Sequence, residues 1–169
     1  KLCFVSCDMG GFYVSESGGE AWWMGNRFEM GGNTSCRPGF HPVDPNVVYM
    51  PYKRGFRVSE DRGKHWKILC ADPSWGSARV RAIITDRGGD GSVILVCTSD
   101  GLHRSADGGK TFAKCEGVDG AVIDAHFDQA SPADARRVVA GAAGGVYVSA
   151  DGGVTFAKRG RGITGRLSG

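Results

Sequence analysis

One eight-residue pattern occurs four times along this chain at nearly constant spacing. The copies are Ser15-Glu16-Ser17-Gly18-Gly19-Glu20-Ala21-Trp22, Ser59-Glu60-Asp61-Arg62-Gly63-Lys64-His65-Trp66, Ser105-Ala106-Asp107-Gly108-Gly109-Lys110-Thr111-Phe112 and Ser149-Ala150-Asp151-Gly152-Gly153-Val154-Thr155-Phe156. Their first serines lie 44, 46 and 44 residues apart. The shared form is Ser-x-Asp-x-Gly-x-Thr followed by Trp or Phe, and each position has a mechanical reason. An aspartate in a tight turn accepts hydrogen bonds from nearby backbone N–H groups that have lost their ladder partners. The glycine adopts a backbone angle that a Cβ makes costly. The hydroxyls bond across the turn, and the closing aromatic buries its ring beneath it. Ser59, Asp61, Gly63 and Trp66 are therefore read as structural, as are Ser105, Asp107, Gly109 and Phe112, and Ser149, Asp151, Gly153 and Phe156. Ser15 opens a weaker copy, with Ser17 and Ala21 where Asp and Thr are expected, and that turn should be the least rigid. Calcium at these aspartates would need several more carboxylates close by, so no metal is expected.

Aligning on the box serine exposes the rest of the repeat. Before each box run two short strands rich in β-branched and aromatic residues: Cys3–Cys7 and Gly11–Ser15, Val47–Met50 and Gly55–Ser59, Val93–Cys97 and Gly101–Ser105, Val138–Gly141 and Gly145–Ser149. A third follows each box, as at Thr111–Cys115, and a further strand such as Ala121–Phe127 opens the next repeat. Pro- and Gly-rich turns separate them, and no helix is expected. Four antiparallel strands per repeat of this length make one blade of a β-propeller, an all-β fold. The expected blades are residues 1–33 without a first strand, 34–77, 78–119 and 120–160, with 161–169 starting another. A propeller closes its ring to leave no sheet edge exposed, so the reading is about four blades of a ring of roughly six to eight, with the remaining blades of the same protein as partners.

The repeated turn resembles the Asp-box, or bacterial neuraminidase repeat, over nearly the whole chain. Propellers with this repeat include sialidases, family 74 xyloglucanases, sortilin-type receptors and a photosystem assembly factor. The resemblance implies a carbohydrate-active, glycoside hydrolase-like domain, secreted or periplasmic, that acts on or binds polysaccharide. The alternative it implies is a non-catalytic protein-interaction scaffold. Cys7-Asp8-Met9-Gly10-Gly11-Phe12-Tyr13 is similar to the Asp-aliphatic-Gly-Gly-aromatic segment of the xyloglucanases, in which the Asp is a catalytic carboxylate. Asp8 is thus the candidate catalytic residue. Glycoside hydrolysis needs two carboxyl groups flanking the bond, and in that family the second comes from a separate propeller. Arg37-Pro38-Gly39-Phe40 does not match the sialidase arginine motif, so a sialidase is not expected.

Successive turns of an antiparallel blade alternate between its two ends. The loops joining second and third strands, together with the connections between blades, should therefore share the rim opposite the boxes. Long loops on such a rim are a usual place for a site. Candidates there are Tyr52, Asp100 and Trp75, the last able to stack on a sugar or to pack between blades. Arg37, Arg79, Arg81, Asp124 and His126 fall on or beside innermost strands, where they line the channel or pair between blades. Arg37 and Asp124 share a register when their repeats are aligned. No Ser-His-Asp or Cys-His arrangement is discernible among four histidines, and no phosphate-cradling loop precedes a helix, so no cofactor is expected.

Composition sets the remaining bounds. The chain has 169 residues, enough for a sizeable core, and its 28 glycines fit many turns between apolar strands. The net charge of +3 is carried by scattered basic residues, which argues against nucleic acid. No apolar run approaches the roughly 20 residues of a membrane helix. Six cysteines include Cys7 and Cys36, expected near one face and a possible disulfide pair.

Overall fold

The computed structural model describes residues 1–7, 11–30, 36–52 and 55–160. Three strands form the first sheet: β1 (Cys3–Cys7), β2 (Gly11–Ser15) and β3 (Trp23–Met24). The second holds β4 (Gly39–Phe40), β5 (Val48–Tyr52), β6 (Gly55–Ser59) and β7 (Lys67–Cys70). The third holds β8 (Val80–Thr85), β9 (Ile94–Thr98), β10 (Leu102–Ser105) and β11 (Ala113–Lys114). The fourth holds β12 (Val122–Phe127), β13 (Val138–Ala142), β14 (Gly145–Ser149) and β15 (Ala157–Arg159). Every sheet is an antiparallel meander with strands in chain order.

Apolar side chains gather between sheets rather than within one central core. Phe12, Val14 and Met30 meet Val48, Met50 and Trp66 between the first and second sheets. Tyr49, Phe56 and Val58 meet Ile83, Ile94 and Val96 between the second and third. Leu95, Cys97 and Leu102 meet Phe127, Val138 and Tyr147 between the third and fourth. Sheets packed face to face in sequence, each meandering outward from an innermost strand, are the blades of a β-propeller.

The repeat turns are built as their sequence implies. In the second blade the Ser59 hydroxyl donates to Asp61 Oδ1 at 2.8 Å and accepts from Gly63 N–H at 2.7 Å. Asp61 Oδ1 in turn accepts from the Lys64 and His65 N–H groups. Ser105–Asp107 and Ser149–Asp151 repeat this pattern, with the Thr111 and Thr155 hydroxyls each donating to the second carboxylate oxygen at 2.6 Å. His65 stands where those threonines stand, and its Nδ1 reaches Asp61 Oδ2 at the same 2.6 Å. In the first turn Ser17 Oγ receives one N–H, from Ala21, while Ser15 still accepts from Gly19. Gly63, Gly109 and Gly153 have φ of 95°, 95° and 88°, the left-handed region where a Cβ is strained.

Partial burial opposes ionisation of Asp61, Asp107 and Asp151, but the hydrogen bonds they accept outweigh it and hold each carboxyl down at about 2. An unfolded aspartate titrates near 3.9. The stabilisation is therefore complete above about pH 4 and is lost as pH falls towards 2. Replacing Asp107 and Asp151 together with Asn should lower the melting temperature at pH 6 and flatten its fall between pH 4 and 2. Parallel curves for variant and parent over that interval would contradict this.

Among the described residues two helical turns depart from the all-strand expectation. Arg27–Met30 forms a four-residue helix, α1, within the connection from first to second blade. Asn26 Oδ1 caps it by accepting from Phe28 N–H, and Glu29 accepts from Trp66 N–H at 2.6 Å. Met30 fills the inter-blade core, so tertiary contacts rather than helix propensity hold the turn. A single 3₁₀ turn covers Ala133–Ala135.

Candidate functional site

The two rims of the blades are well defined. Gly108 N–H bonds Ser92 carbonyl and Gly152 N–H bonds Arg136 carbonyl, which puts the repeat turns beside the loops that leave the innermost strands. At the other rim, Ser99 exchanges hydrogen bonds with Arg79, and Ala143 N–H bonds Ala121 carbonyl. The loops between second and third strands thus share a rim with the inter-blade connections. Asp8 lies outside the described residues, as do Lys53 and Arg54. The strands flanking Asp8 are described, and Cys7 pairs with Gly11 across the β1–β2 register.

Trp75 does not offer a face to a ligand. It is 3% exposed, with edge contacts to Phe56, Phe112 and His103 at ring distances of 6.1, 4.7 and 5.7 Å. The expected sugar-stacking role gives way to packing, because the connection carrying Trp75 folds inward over the second and third blades. Tyr52 is half-buried, with the Arg57 guanidinium 5.0 Å above its ring. Asp100 is committed to its own turn, accepting from the Thr98 hydroxyl at 2.5 Å and facing His103 Nε2 at 3.1 Å. Arg37 makes a bidentate pair with Asp124, at 3.1 and 2.5 Å, linking the second blade to the fourth across the third. Both side chains are about half exposed, so the pair contributes little beyond alignment of the two strands. Of Arg37, Trp75, Tyr52 and Asp100, only Arg37 is among the lining residues of the groove along the innermost strands.

That groove has a volume of about 570 Å3, and its lining extends to His41, Pro42, Arg87 and Gln129 in the loops that follow those strands. Arg37, Phe40, His41, Arg87, His126 and Gln129 are among its lining residues, which include no carboxylate. A pair of acids able to flank a glycosidic bond is thus not present in it.

The contact that sequence alone did not disclose is at the loop rim. Ser74 Oγ lies 2.7 Å from His103 Nδ1, whose other nitrogen is 3.1 Å from Asp100 Oδ1. Asp100 and His103 flank one tight turn and were close by spacing. Ser74 arrives from the connection between blades, 29 residues earlier. The shared rim was the only available signal. Burial lowers the pKa of His103, against the opposing pull of Asp100, so the imidazole is held neutral. Asp100 is partly desolvated, but hydrogen bonds from Thr98 and His103 prevail and keep it ionised.

Cys36 is a free, buried thiol that donates to the Arg37 carbonyl at 3.2 Å, so it is not bridged to Cys7. Burial pushes its pKa up to about 12 despite nearby Arg37, making it an unreactive core residue. Among the described residues no group of three or more His, Cys, Asp or Glu side chains is placed to hold a metal ion. Among the described residues no helix is long and apolar enough to cross a membrane.

The molecule is an all-β propeller segment of four blades, one of them with three described strands. No family model and no curated protein matches the sequence. Solved propeller structures do match the fold. An ancestral GH74 enzyme superposes with a TM-score of 0.76 at 19% identity, over 96% of this chain and 23% of its own. The GH74 xyloglucanase from Xanthomonas campestris gives 0.63 at 20% identity, over 92% of this chain and 28% of its own. YCF48 bound to D1 peptide gives 0.68 at 15% identity, over 98% of this chain and 52% of its own. At such identities the likeness is one of fold. The chain spans about a quarter of the GH74 structures and about half of YCF48, which makes it the counterpart of part of a larger ring.

Proposed function

We propose that this chain is part of an Asp-box propeller that acts on polysaccharide at the rim opposite the repeat turns, as a glycoside hydrolase-like domain of a secreted or periplasmic protein. The observation that carries the reading is the β1–β2 register. Cys7 and Gly11, which flank Asp8-Met9-Gly10 in the sequence, pair with each other, and from Gly11 β2 runs on to Ser15 at the start of the first repeat turn. Asp8 is the acid or base, and its neighbouring glycines leave room for a bulky sugar chain to approach the backbone. A second carboxylate must stand roughly 6.5–9.5 Å away for an inverting mechanism. Asp100 on the same rim is already bound to Thr98 and His103, so that second acid belongs to another part of the protein.

Xyloglucan depolymerisation followed by reducing-end release tests the reading. Asp8→Ala should lower turnover by about a thousandfold or more, the scale on which a general acid or base acts. Undiminished turnover in that variant would remove Asp8 from the chemistry. A second reading, a protein-interaction scaffold, draws on Trp22, Met24 and Phe28, which are 44%, 49% and 99% exposed within seven residues running from the first repeat turn through β3 to α1. Failure of the unaltered protein to cleave or retain any polysaccharide would favour it.

A further inference from the structure

Ser74, His103 and Asp100 form a hydrogen-bonded chain whose proton positions follow from chemistry. An ionised carboxylate accepts only, so His103 Nε2 carries its hydrogen towards Asp100. Nδ1 is then the basic nitrogen of the neutral ring, and the Ser74 hydroxyl 2.7 Å away donates to it. That is the polarisation a serine needs to act as a nucleophile.

The surroundings fix each member. Asp100 is held from its other side by the Thr98 hydroxyl, and the Lys114 ammonium stands 3.9 Å from its second oxygen. His103 has no exposed side-chain surface and abuts the edge of the Trp75 ring, so its orientation is locked. Ser74, by contrast, is exposed. It sits in a turn closed by Gly76 N–H to the Pro73 carbonyl at 2.9 Å. Gly76 has a φ of 55°, and the space a Cβ would occupy there is open. A buried base is thus in contact with an exposed serine hydroxyl, beside backbone that a substrate can approach.

We propose that Ser74, His103 and Asp100 are a nucleophile, general base and orienting carboxylate that hydrolyse carboxylic esters of short acyl chains. Ser74 stands at the surface, which suits a small acyl group carried on a large alcohol. Ser74 Oγ bonds to the acyl carbon while its proton passes to His103 Nδ1. The carbon–oxygen bond to the alcohol then breaks, and the alcohol leaves with that proton. Water next attacks the acyl-serine, giving its proton to His103. The ester oxygen of Ser74 departs, takes that proton back, and the carboxylic acid is released. Asp100 retains its charge throughout and faces the imidazolium in each half-reaction. This chemistry is independent of Asp8 and of polysaccharide cleavage.

The test uses p-nitrophenyl acetate as substrate and a fluorophosphonate as covalent probe, both on the whole chain. The expected result is an initial burst of p-nitrophenol and a phosphonyl adduct on the peptide carrying Ser74, read by mass spectrometry. Ser74→Ala, a surface change that leaves the circular dichroism spectrum unaltered, should abolish the adduct and lower turnover by at least about a thousandfold. Asp100→Asn should slow both adduct formation and turnover. An unmodified Ser74 after prolonged exposure to the probe, or Ser74→Ala with the parent's rate of ester hydrolysis, would overturn the proposal.

Discussion

Arg136→Ala should destabilise the molecule by about 3–5 kcal/mol, the usual cost of stranding a buried charge. Arg136 lies in the loop after β12, and its Nε donates to Asp86 Oδ2 at 2.9 Å in the loop after β8. The two side chains are 8% and 11% exposed, so the pair joins the third and fourth blades out of water. Gln129 Nε2 and Gly88 N–H also donate to Asp86 Oδ1, each at 3.0 Å. Without Arg136 the Asp86 charge would keep those two dipolar partners but lose its counter-ion. Arg136 Nη1 also donates to the carbonyls of Asp128, Gln129 and Ser131, at 3.2, 3.3 and 2.6 Å. Its removal therefore releases the β12–β13 loop as well.

The double variant Arg136→Met with Asp86→Leu separates these two effects. Removing both charges should recover much of the loss, since an apolar pair of similar volume avoids the stranded carboxylate. Recovery should stay incomplete because the three carbonyls lose their donor. Urea denaturation of the four proteins of this cycle measures the coupling. A cost below about 1 kcal/mol for Arg136→Ala would place the pair with solvent-screened surface bridges instead.

What could be read from the sequence divides by how far apart the partners lie. The Ser-Asp-Thr hydrogen bonds of a repeat turn fall within eight residues, so Ser105, Asp107 and Thr111 specify those contacts locally. Even the substitution of His65 for threonine keeps the contact, because an imidazole nitrogen reaches Asp61 as a hydroxyl does. Repetition extended this reach: Arg37 and Asp124 are 87 residues apart, yet their common register in the repeat brings them opposite each other. The inter-blade connections have no such constraint. Their lengths and compositions differ, so the burial of Trp75 and the approach of Ser74 to His103 depend on how one loop folds back. Arg27–Met30 carries no local helix signal for the same reason, since its anchors are the Trp66 backbone and the core around Met30. The groove is lined from the innermost strands of three blades, so no single repeat encodes it.

Phe56→Ala should produce a loss of similar size, about 3–5 kcal/mol, by a different route. Phe56 is fully buried on β6 and stacks on Tyr49 at 5.7 Å between ring centres. It meets Phe112, the closing aromatic of the third blade's turn, edge-on at 4.9 Å, and Trp75 at 6.1 Å. A Cβ added to Gly109 would fall 2.7 Å from the Phe56 ring, so the turn of the third blade is seated directly on it. Truncation leaves a cavity between a repeat turn, a neighbouring strand and the connection that carries Trp75. At roughly 2–4 °C per kcal/mol for a chain of this size, the melting temperature should fall by about 6–20 °C. Phe56→Leu should cost less, because it keeps most of the apolar volume and loses only the ring geometry. The ester chemistry supplies a second readout. Trp75 follows Ser74 in sequence and packs against His103, so loosening it shifts the 2.7 Å contact that activates the hydroxyl. Labelling of Ser74 by the phosphonate should therefore slow in Phe56→Ala at temperatures where the protein is still folded. Labelling at the parent's rate, with the stability loss present, would mean that the Ser74 turn is held by Pro73 and Gly76 rather than by the aromatic cluster beneath it.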